Sequence, residues 1–359
     1  MKNRNSAVGQ IAFVIMLVLV MFIAGCGEKS TSSEEVSASP VTSTTPASSV
    51  APTEAATASP VPKELYKVAQ VTNWVAQPEH GGNYAALAKG FYKDAGLDMT
   101  ITSGGPGINA SALIASGKVQ FGMGSTDEIL LARENGIPIV AIMGTFQKSP
   151  QALIYHKGQA IKSYADLNGR KVYVSPGAGY WEYMKIKFDL GKVTEMKYNY
   201  ELASFASDET SVVQGYITSE PYDLKIQGIE TEYLLNSDSG FSPYGNLMYT
   251  TEDMIKNHPD QVRAFVEATI KGWEYYIANP KEINPVIQER NPDMPLEKMD
   301  YSAAAQIPLI NGGDAATGGI GIMTKERWEA MNTQLVEVKL LKAPQDITKA
   351  YTTEFLPKK

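Results

Sequence analysis

The sequence has few of the residues that build redox, metal and nucleotide sites. Among its 359 residues there is one cysteine, Cys26, so no intrachain disulfide framework can form. Three histidines, at positions 80, 156 and 258, lie in separate segments, and no Cys/His spacing typical of a zinc site occurs. The phosphate-binding patterns G-x-x-x-x-G-K-[ST] and G-x-G-x-x-G are absent as well. We therefore expect no metal, no cofactor and no catalytic residue.

The sequence also lacks an excess of positive charge. It carries 32 lysine and arginine residues against 39 aspartate and glutamate residues, for a formal charge of −7. Nucleic-acid binding needs a basic face, so we expect no nucleic-acid partner. With 43% hydrophobic and 20% charged residues, the composition is otherwise that of a globular protein. The length is sufficient for two lobes with real cores.

The longest apolar run is too short to cross a membrane as a helix. Ile11 to Ile23 comprises thirteen residues, IAFVIMLVLVMFI, and follows a short positive start with Lys2 and Arg4. A membrane-spanning helix needs about 20 residues. A positive start before a short apolar core is typical of a signal peptide, which we assign to residues 1–25.

Directly after this core, Ile23-Ala24-Gly25-Cys26 resembles a bacterial lipobox. The resemblance implies that Cys26 becomes the first residue, carries lipid on its sulfur and anchors the protein to the membrane. An ordinary signal peptide with an incidental cysteine is the alternative. The chain up to residue 65 is then rich in Ser, Thr, Ala and Pro, and it can bury too little apolar surface to fold. We interpret residues 26–65 as the lipidated cysteine and a disordered tether with a reach of about 35 Å.

The stretch from Tyr66 to Ile101 predicts a strand, a loop, a helix and a second strand. Apolar residues recur at helical spacing from Tyr84 to Tyr92, and residues 97–101 alternate between apolar and polar. The loop at 73–83 lies where the first strand ends and the helix begins, the edge at which open α/β sheets bind ligands. It offers an indole, a carboxylate, an imidazole and amide groups.

The residues of this stretch, TNWVAQPEHGGNYAALAKGFYKDAGLD from 72 to 98, resemble the first βαβ unit of the substrate-binding proteins of ABC importers. The likeness is greater to the branch that binds thiamine pyrimidine precursors, which is related to the sulfonate, taurine and nitrate binders. It extends over about residues 66–345. It implies a periplasmic-binding-protein-like type II fold: a two-lobed α/β clamshell with mixed, mostly parallel sheets and two crossover strands. It also implies a monomer that delivers a small molecule to a permease and ATPase complex.

From this resemblance we place the first part of lobe 1 at 66–156, lobe 2 at 157–245, and the second part of lobe 1 with the C-terminal helices at 246–359. The periodicity predicts a helix at 208–216 and a long amphipathic helix at 259–278. Trp273 and Trp328, in the C-terminal part, are expected in the core.

Several loops supply candidate ligand contacts, each with a structural alternative. Residues 125–127 follow a predicted strand and begin a helix, so they cap that helix and are also candidates for ligand contact. Tyr180 and Trp181 are either aromatic walls of the cleft or packing for their helix. Glu220 either reaches into the interlobe cleft or is solvated. The candidate ligand-binding residues from both lobes are Asn73, Trp74, Glu79, His80, Tyr84, Ser125, Thr126, Asp127, Gln147, Tyr180, Trp181, Glu220 and Tyr244.

This set contains carboxylates, aromatic rings and amides but no arginine, and Lys148 is the cation nearest to it in sequence. A sulfonate or nitrate site usually has arginine or a rich N–H cradle. A flat heterocycle needs stacking faces and a few placed acceptors. We therefore predict a nitrogen heterocycle, with hydroxymethyl- or formylamino-pyrimidine first. Riboflavin and sulfonate-, taurine- or nitrate-type anions are the alternatives.

Two other functional classes remain as alternatives. A eukaryotic relative of the family makes the thiamine pyrimidine from its own histidine and a lysine-bound pyridoxal phosphate, and it carries a cysteine-rich segment. This sequence has Asp127-Glu128 where that histidine would fall and no cysteine-rich run, so we predict no enzyme. A surface sensor or adhesin would keep the fold and the tether. The predicted location is the outer face of the cell membrane, or its periplasmic side in a cell with two membranes.

Overall fold

The computed structural model describes residues 64–358. The predicted signal peptide, Cys26 and nearly all of the predicted tether lie outside these residues. Within them, no helix combines the length and the apolar character needed to span a bilayer.

Two five-stranded mixed sheets form two lobes, and the predicted clamshell fold is confirmed. The first sheet has the strand order β2-β1-β3-β10-β4 and contains β1 Tyr66–Val71, β2 Leu97–Thr102, β3 Phe121–Gly124, β4 Ile139–Met143 and β10 Leu247–Thr251. The second has the order β7-β6-β8-β5-β9 and contains β5 Gln151–His156, β6 Lys171–Val174, β7 Thr194–Lys197, β8 Val212–Tyr216 and β9 Thr231–Leu235.

The two sheets share one pairing scheme. In the first, β1 pairs in parallel with β2 and β3, and β10 is antiparallel to β3 and β4. In the second, β6 pairs in parallel with β7 and β8, and β5 is antiparallel to β8 and β9. In each sheet four of the five strands therefore run in one direction, and their carboxyl ends lie at one edge, as a ligand-binding edge requires.

Helices cover both sheets. They are α1 Gly81–Ala88, α2 Phe91–Asp94, α3 Ala110–Ala115, α4 Thr126–Glu134, α5 Gly179–Lys187, α6 Ala203–Ala206, α7 Glu220–Lys225, α8 Glu252–Asn257, α9 Pro259–Ala278, α10 Pro280–Gln288, α11 Leu296–Asn311, α12 Ala315–Gly318 and α13 Lys325–Glu337. Short 3-10 turns lie at Pro78–His80, Tyr164–Leu167, Asn236–Ser239 and Ile347–Lys349.

The long helix α9 has the bounds that the periodicity predicts and buries the expected face. Phe265 on this face stacks on Phe121 of β3 with ring centroids 3.8 Å apart, and Trp273 is fully buried, as is Trp328 of α13. The predicted helix at 208–216 is wrong, because residues 208–211 form a turn and β8 begins at Val212. Val212 and Val213 are β-branched, wholly buried and paired with β5 and β6, so tertiary burial selects a strand there.

Two segments cross between the lobes and pair with each other. Phe146 donates its N–H to the Gly245 carbonyl at 2.9 Å, and Gly245 returns an N–H to Phe146 at 3.1 Å. The strand Gln151–His156 belongs to the second sheet, although our boundary leaves it in the first lobe. Among the described residues, β5 pairs only with β8 and β9, which belong to the second lobe. The first crossing between the lobes therefore comes before residue 151.

Candidate functional site

The candidate site is the cleft where the carboxyl-end loops of the two sheets meet. The first lobe contributes the loop after β1, up to His80, and the start of α4. The second contributes the loop after β7 and the segment between β8 and α7. A hydrogen bond joins the lobes deep in this cleft: the Thr218 hydroxyl, just after β8, donates to Oε1 of Glu79.

An amide network fixes the loop after β1. The Asn73 side-chain N–H donates to Asn246 Oδ1 at 2.9 Å, and Asn246 donates to the Glu79 carbonyl at 2.9 Å. Because the Asn73 amide N–H donates to Asn246, the Asn73 Oδ1 is the atom that accepts from His80 Nε2, which lies 2.9 Å away. This assigns the proton of the ring to Nε2. Burial lowers the pKa of His80 to about 3, so the imidazole is neutral and Nδ1 keeps a lone pair with no protein partner.

Glu79 is the most enclosed carboxylate of the cleft, with 1% of its surface exposed. Burial raises its pKa, although the hydrogen bond from Thr218, the nearby Ser302 hydroxyl and the positive charge of Lys298 act in the opposite direction. The Ser302 hydroxyl is itself buried and makes no hydrogen bond with any described residue. The second oxygen of Glu79, Oε2, is buried and has no hydrogen-bond partner in the protein. A carboxyl group in this state has one position left for a further hydrogen bond.

The start of α4 adds two more carboxylates. Ser125 donates its hydroxyl to Asp127 at 2.6 Å. Its N–H donates to the Glu128 carboxylate at 3.0 Å and its side chain accepts the Glu128 backbone N–H, which forms a capping box. Burial raises the pKa of Asp127, and burial together with the neighbouring Asp127 charge raises the pKa of Glu128 to about 7. Glu128 nevertheless meets solvent, because it lines a recess of about 500 Å³ together with Asn73 and the loop before α3.

Asp127 faces the opposite lobe. A Cβ placed on Gly179, the first residue of α5, would lie 3.4 Å from the Asp127 carboxylate. The free N–H groups at a helix start attract negative charge, so this approach is electrostatically favourable. The close approach also explains a glycine at position 179, where a Cβ would lie 2.9 Å from the Phe241 ring.

Tyr216, at the end of β8, lies among the carboxylates of both lobes. Burial raises its pKa, and the charges of Glu128, Glu79, Glu220 and Asp127 raise it further, in that order. Glu220 accepts the Tyr216 backbone N–H at 2.6 Å, and burial raises the Glu220 pKa to about 7. Carboxyl groups from the two lobes therefore act electrostatically on one phenol.

Lys298 of α11 is the cation that opposes these carboxylates. It pairs with Asp223 of α7 at 2.6 Å, and its charge acts on both Glu79 and Glu220. Lys148, which the sequence suggests for this role, instead pairs with Asp238 at an exposed position. Acidic groups thus outnumber cations in the described part of the cleft, and no group of three or more His, Cys, Asp or Glu side chains there is placed to hold a metal.

Two aromatic rings meet at the mouth of the cleft. Trp74 of the first lobe and Tyr200 of the second have centroids 5.4 Å apart with planes inclined at 37°. Tyr200 is exposed, has a positive φ of 67° and also contacts Tyr198 at 5.4 Å. A non-glycine residue held in this backbone region is a common feature of ligand sites.

Other predicted site residues are engaged within the protein. Thr126 and Tyr244 exchange hydrogen bonds of 2.9 and 3.2 Å, and Gln147 donates to the carbonyls of residues 144 and 322. Arg327, which lies far away in sequence, covers the Tyr244 ring at 3.7 Å and donates to the Gln147 carbonyl at 2.7 Å. These side chains stabilise the crossing segments, and packing brings to the candidate set an arginine that lies far from it in sequence.

The aromatic pair of the second lobe packs inside it. Trp181 is fully buried and donates its indole N–H to Glu195 of β7 at 2.6 Å. Tyr180 is buried and donates its hydroxyl to Gln214 of β8. Tyr84 is buried in α1, and the Arg290 guanidinium lies over its ring, 5.7 Å from the centroid.

The sequence reasoning missed Tyr200, Tyr216, Thr218, Asn246 and Lys298. The sequence could have indicated Thr218, because this residue stands two positions before Glu220, a candidate for the interlobe cleft. Tyr216 was hidden by the wrong helix prediction. Lys298 gives no local signal, since only the packing of α10 and α11 brings it to the cleft.

Comparison with known proteins places the chain in a family. The family described as NMT1/THI5 like matches residues 77–283, more than half of the chain. The riboflavin-binding protein RibY of Chloroflexus aurantiacus is 26% identical over 85% of this chain and 91% of its own length. The formylaminopyrimidine-binding protein of Halalkalibacterium halodurans is 24% identical over 74% of this chain and 83% of its own length.

Similarity also extends to a synthase and to a solved sulphonate-binding protein. The 4-amino-5-hydroxymethyl-2-methylpyrimidine phosphate synthase THI12 of Saccharomyces cerevisiae is 28% identical over 60% of this chain and 68% of its own length. The structure of the periplasmic aliphatic sulphonate-binding protein SsuA from Escherichia coli superposes with a TM-score of 0.63 at 12% identity, covering 83% of this chain and 95% of that one. The chain therefore belongs to the NMT1/THI5 like family and has the two-lobed type II fold of periplasmic binding proteins.

Proposed function

We propose that the protein is the solute-binding component of an ABC importer and captures a small nitrogen heterocycle between its lobes. The carrying observation is the acidic cleft: carboxylates of both lobes converge on Tyr216, and Lys298 is the cation that faces them among the described residues. Such a cleft favours ligands that donate N–H groups or carry positive charge.

A thiamine pyrimidine precursor such as hydroxymethyl- or formylamino-pyrimidine has the matching chemistry. An aminopyrimidine presents a ring nitrogen beside an exocyclic N–H group, and one carboxyl group can bond both. Its flat ring suits the aromatic pair Trp74 and Tyr200. Leaving one such buried partner unmet costs about 1–3 kcal/mol, which would exclude close analogues.

Riboflavin is the second candidate ligand. RibY, a riboflavin-binding protein, is similar over 91% of its own length, and the flavin ring is also flat and rich in nitrogen. An anion such as a sulfonate, taurine or nitrate is disfavoured, because the described carboxylates would repel it and Arg327 is engaged at the crossing segments. The likeness to SsuA supports the fold only.

We propose a binding role and no catalysis, although the family includes synthases. At the start of α4 the chain has Asp127 and Glu128, where the resemblance to the synthases suggests a histidine. Incubation of the purified protein with pyridoxal phosphate and iron should leave His80 and the other histidines intact by peptide mass spectrometry. Loss of a histidine side chain with release of a pyrimidine would overturn this part.

The import role requires an anchor and a permease. We propose that Cys26 carries lipid, that residues 27–65 tether the lobes to the outer face of the membrane, and that the closed form docks on a permease. A Cys26→Ala variant should be released into the medium, whereas the unaltered chain stays in the membrane fraction. Equal retention of both would remove the lipid anchor from the account.

Native mass spectrometry of residues 27–359 tests the ligand. The protein is purified without refolding and then mixed with aminopyrimidines, riboflavin and taurine in one competitive panel. We expect a retained or captured heterocycle at a stoichiometry of one. Capture of taurine alone would contradict the prediction that the acidic cleft disfavours anions, but it would be consistent with the fold. Capture of nothing would favour a surface sensor or adhesin.

A further inference from the structure

The Glu79 carboxyl combines a hydrogen bond across the cleft with a buried oxygen that makes none within the described residues. Its Oε1 accepts a hydrogen bond from Thr218, which belongs to the opposite lobe, and its Oε2 is buried without a protein partner. The group sits on the 3-10 turn Pro78–His80, which is held in place because Gln306 donates to the Pro78 carbonyl at 2.8 Å. One oxygen therefore bonds the opposite lobe, and the other makes no hydrogen bond to the described part of the chain.

We propose that Glu79 couples ligand capture to lobe closure, with Oε1 holding Thr218 and Oε2 bonding the nitrogen edge of the ligand. This inference rests on the proposed function, since it assigns a contact by which the protein recognises that ligand. A buried oxygen without a partner is costly, so a ligand N–H or ring nitrogen there gives a strong preference for the closed state.

The surroundings of Glu79 decide its protonation in the closed state. From α11, Ser302 and Lys298 favour the ionised form, as does the Thr218 hydroxyl. Burial acts against them and raises the pKa of Glu79. The charge of Glu79 in turn raises the pKa of two phenols, Tyr216 of β8 and Tyr276 of α9. His80, next in the chain, is neutral and adds no positive charge.

Burial dominates, so the closed state raises the pKa of Glu79 above its ordinary value of 4.5. In the open state water reaches the group and its pKa returns towards that value. Closure then takes up a proton at any pH between the two pKa values. Affinity is highest below about pH 4.5, falls by up to about tenfold per pH unit above it, and levels off once the closed-state pKa is passed.

A protonated carboxyl also fits the ligand class. Because Oε1 accepts from Thr218, the proton of the neutral carboxyl lies on Oε2, which can donate it to a ring nitrogen of an aminopyrimidine. A glutamine at position 79 keeps a donor and an acceptor but cannot titrate. Glu79→Gln should therefore bind a neutral aminopyrimidine without the part of the pH dependence that comes from Glu79.

The test is calorimetric titration of residues 27–359 with 4-amino-5-hydroxymethyl-2-methylpyrimidine and with riboflavin from pH 5 to 8. Comparing Kd between Glu79→Gln and the unaltered chain cancels the titration of the ligand itself. We expect this ratio to change by at least tenfold across the range. Titrations in phosphate and in Tris should show less proton uptake for the variant. Glu230→Gln, the same change at an exposed pair with Lys157, is the matched control and should follow the unaltered chain.

Thr218→Val replaces the hydroxyl with a methyl group of similar size and tests the coupling to closure. We expect its Kd to rise about three- to tenfold at pH 5, with its thermal midpoint within a few degrees of the unaltered chain. A Kd ratio that stays constant with pH for Glu79→Gln, or an unchanged Kd for Thr218→Val, would overturn this inference while leaving the heterocycle-binding function intact. Absence of binding by the unaltered chain at every pH would overturn both.

Discussion

At the residue scale, His80 shows how burial sets chemistry. Its imidazole donates from Nε2 to Asn73 and is held neutral, with its pKa lowered to about 3. In the unfolded chain the His80 imidazole has its ordinary pKa of about 6.5, so it binds a proton at a pH where the folded state does not. Stability is therefore lost as the pH falls below about 6.5, by up to about 1.4 kcal/mol per pH unit.

We predict that a His80→Gln variant loses less stability than the unaltered chain between pH 6.5 and pH 4.5. Glutamine can still donate to Asn73 but takes up no proton. Urea unfolding of both proteins across this range measures the difference in slope. The control is His258→Gln, at the partly buried start of α9 against Tyr66. Parallel stability curves for His80→Gln and the unaltered chain would show that position 80 is not the source.

The aromatic pair at the cleft mouth gives a second prediction at this scale. Trp74→Ala and Tyr200→Ala should each weaken capture of a flat heterocycle by about 1–3 kcal/mol, because each removes a stacking face. Calorimetry measures the loss. Tyr233→Ala, an exposed tyrosine on β9, is the matched control and should bind like the unaltered chain. Full affinity in Trp74→Ala would exclude this ring as a ligand contact.

At the scale of elements, α1 lies unusually close to α9. A Cβ on Gly82 would fall 2.2 Å from the Trp273 ring, and one on Gly272 would fall 2.1 Å from the Gly82 carbonyl. The two glycines thus let the helix that carries the site loop rest directly on the longest helix of the first lobe. Close-packed contacts of this kind tolerate no added methyl group without a backbone shift.

Gly82→Ala should therefore destabilise the protein by about 1–3 kcal/mol or more, which thermal or urea unfolding can measure. Gly191→Ala is the control. It adds the same methyl group at a turn where the new Cβ would have 4.0 Å to its nearest neighbour, so we expect a change within about 0.5 kcal/mol. Equal effects of the two substitutions would contradict the packing explanation.

The elements also show what a sequence can and cannot reveal. The βαβ opening and α9 follow from periodicity, because one face of each is buried continuously. Residues 208–216 fit helical spacing equally well, and only the flanking strands β5 and β6 decide for a strand. The first site loop was predictable from its position at a strand end. The contribution of α11, with Lys298, was not, since it depends on how distant helices pack.

At the scale of the whole molecule, contacts across the cleft hold the two lobes together. Beside the Glu79 bond, Lys298 pairs with Asp223 at 2.6 Å, and Tyr301 donates to the Ile217 carbonyl at 2.9 Å. The crossing segments pair through a single bridge between residues 146 and 245. A short connection with few backbone bonds, together with polar contacts across the cleft, is the construction expected of a hinge that opens and closes.

The central claim is that the lobes close on a bound heterocycle. Small-angle X-ray scattering of residues 27–359, with and without the compound captured in the native mass spectrometry panel, tests it most directly. The account predicts a smaller radius of gyration for the saturated protein. It also predicts a smaller bound fraction, and so less compaction, for Thr218→Val at the same subsaturating ligand concentration. Identical scattering curves for the free protein and the protein saturated with a tight ligand would contradict capture by closure.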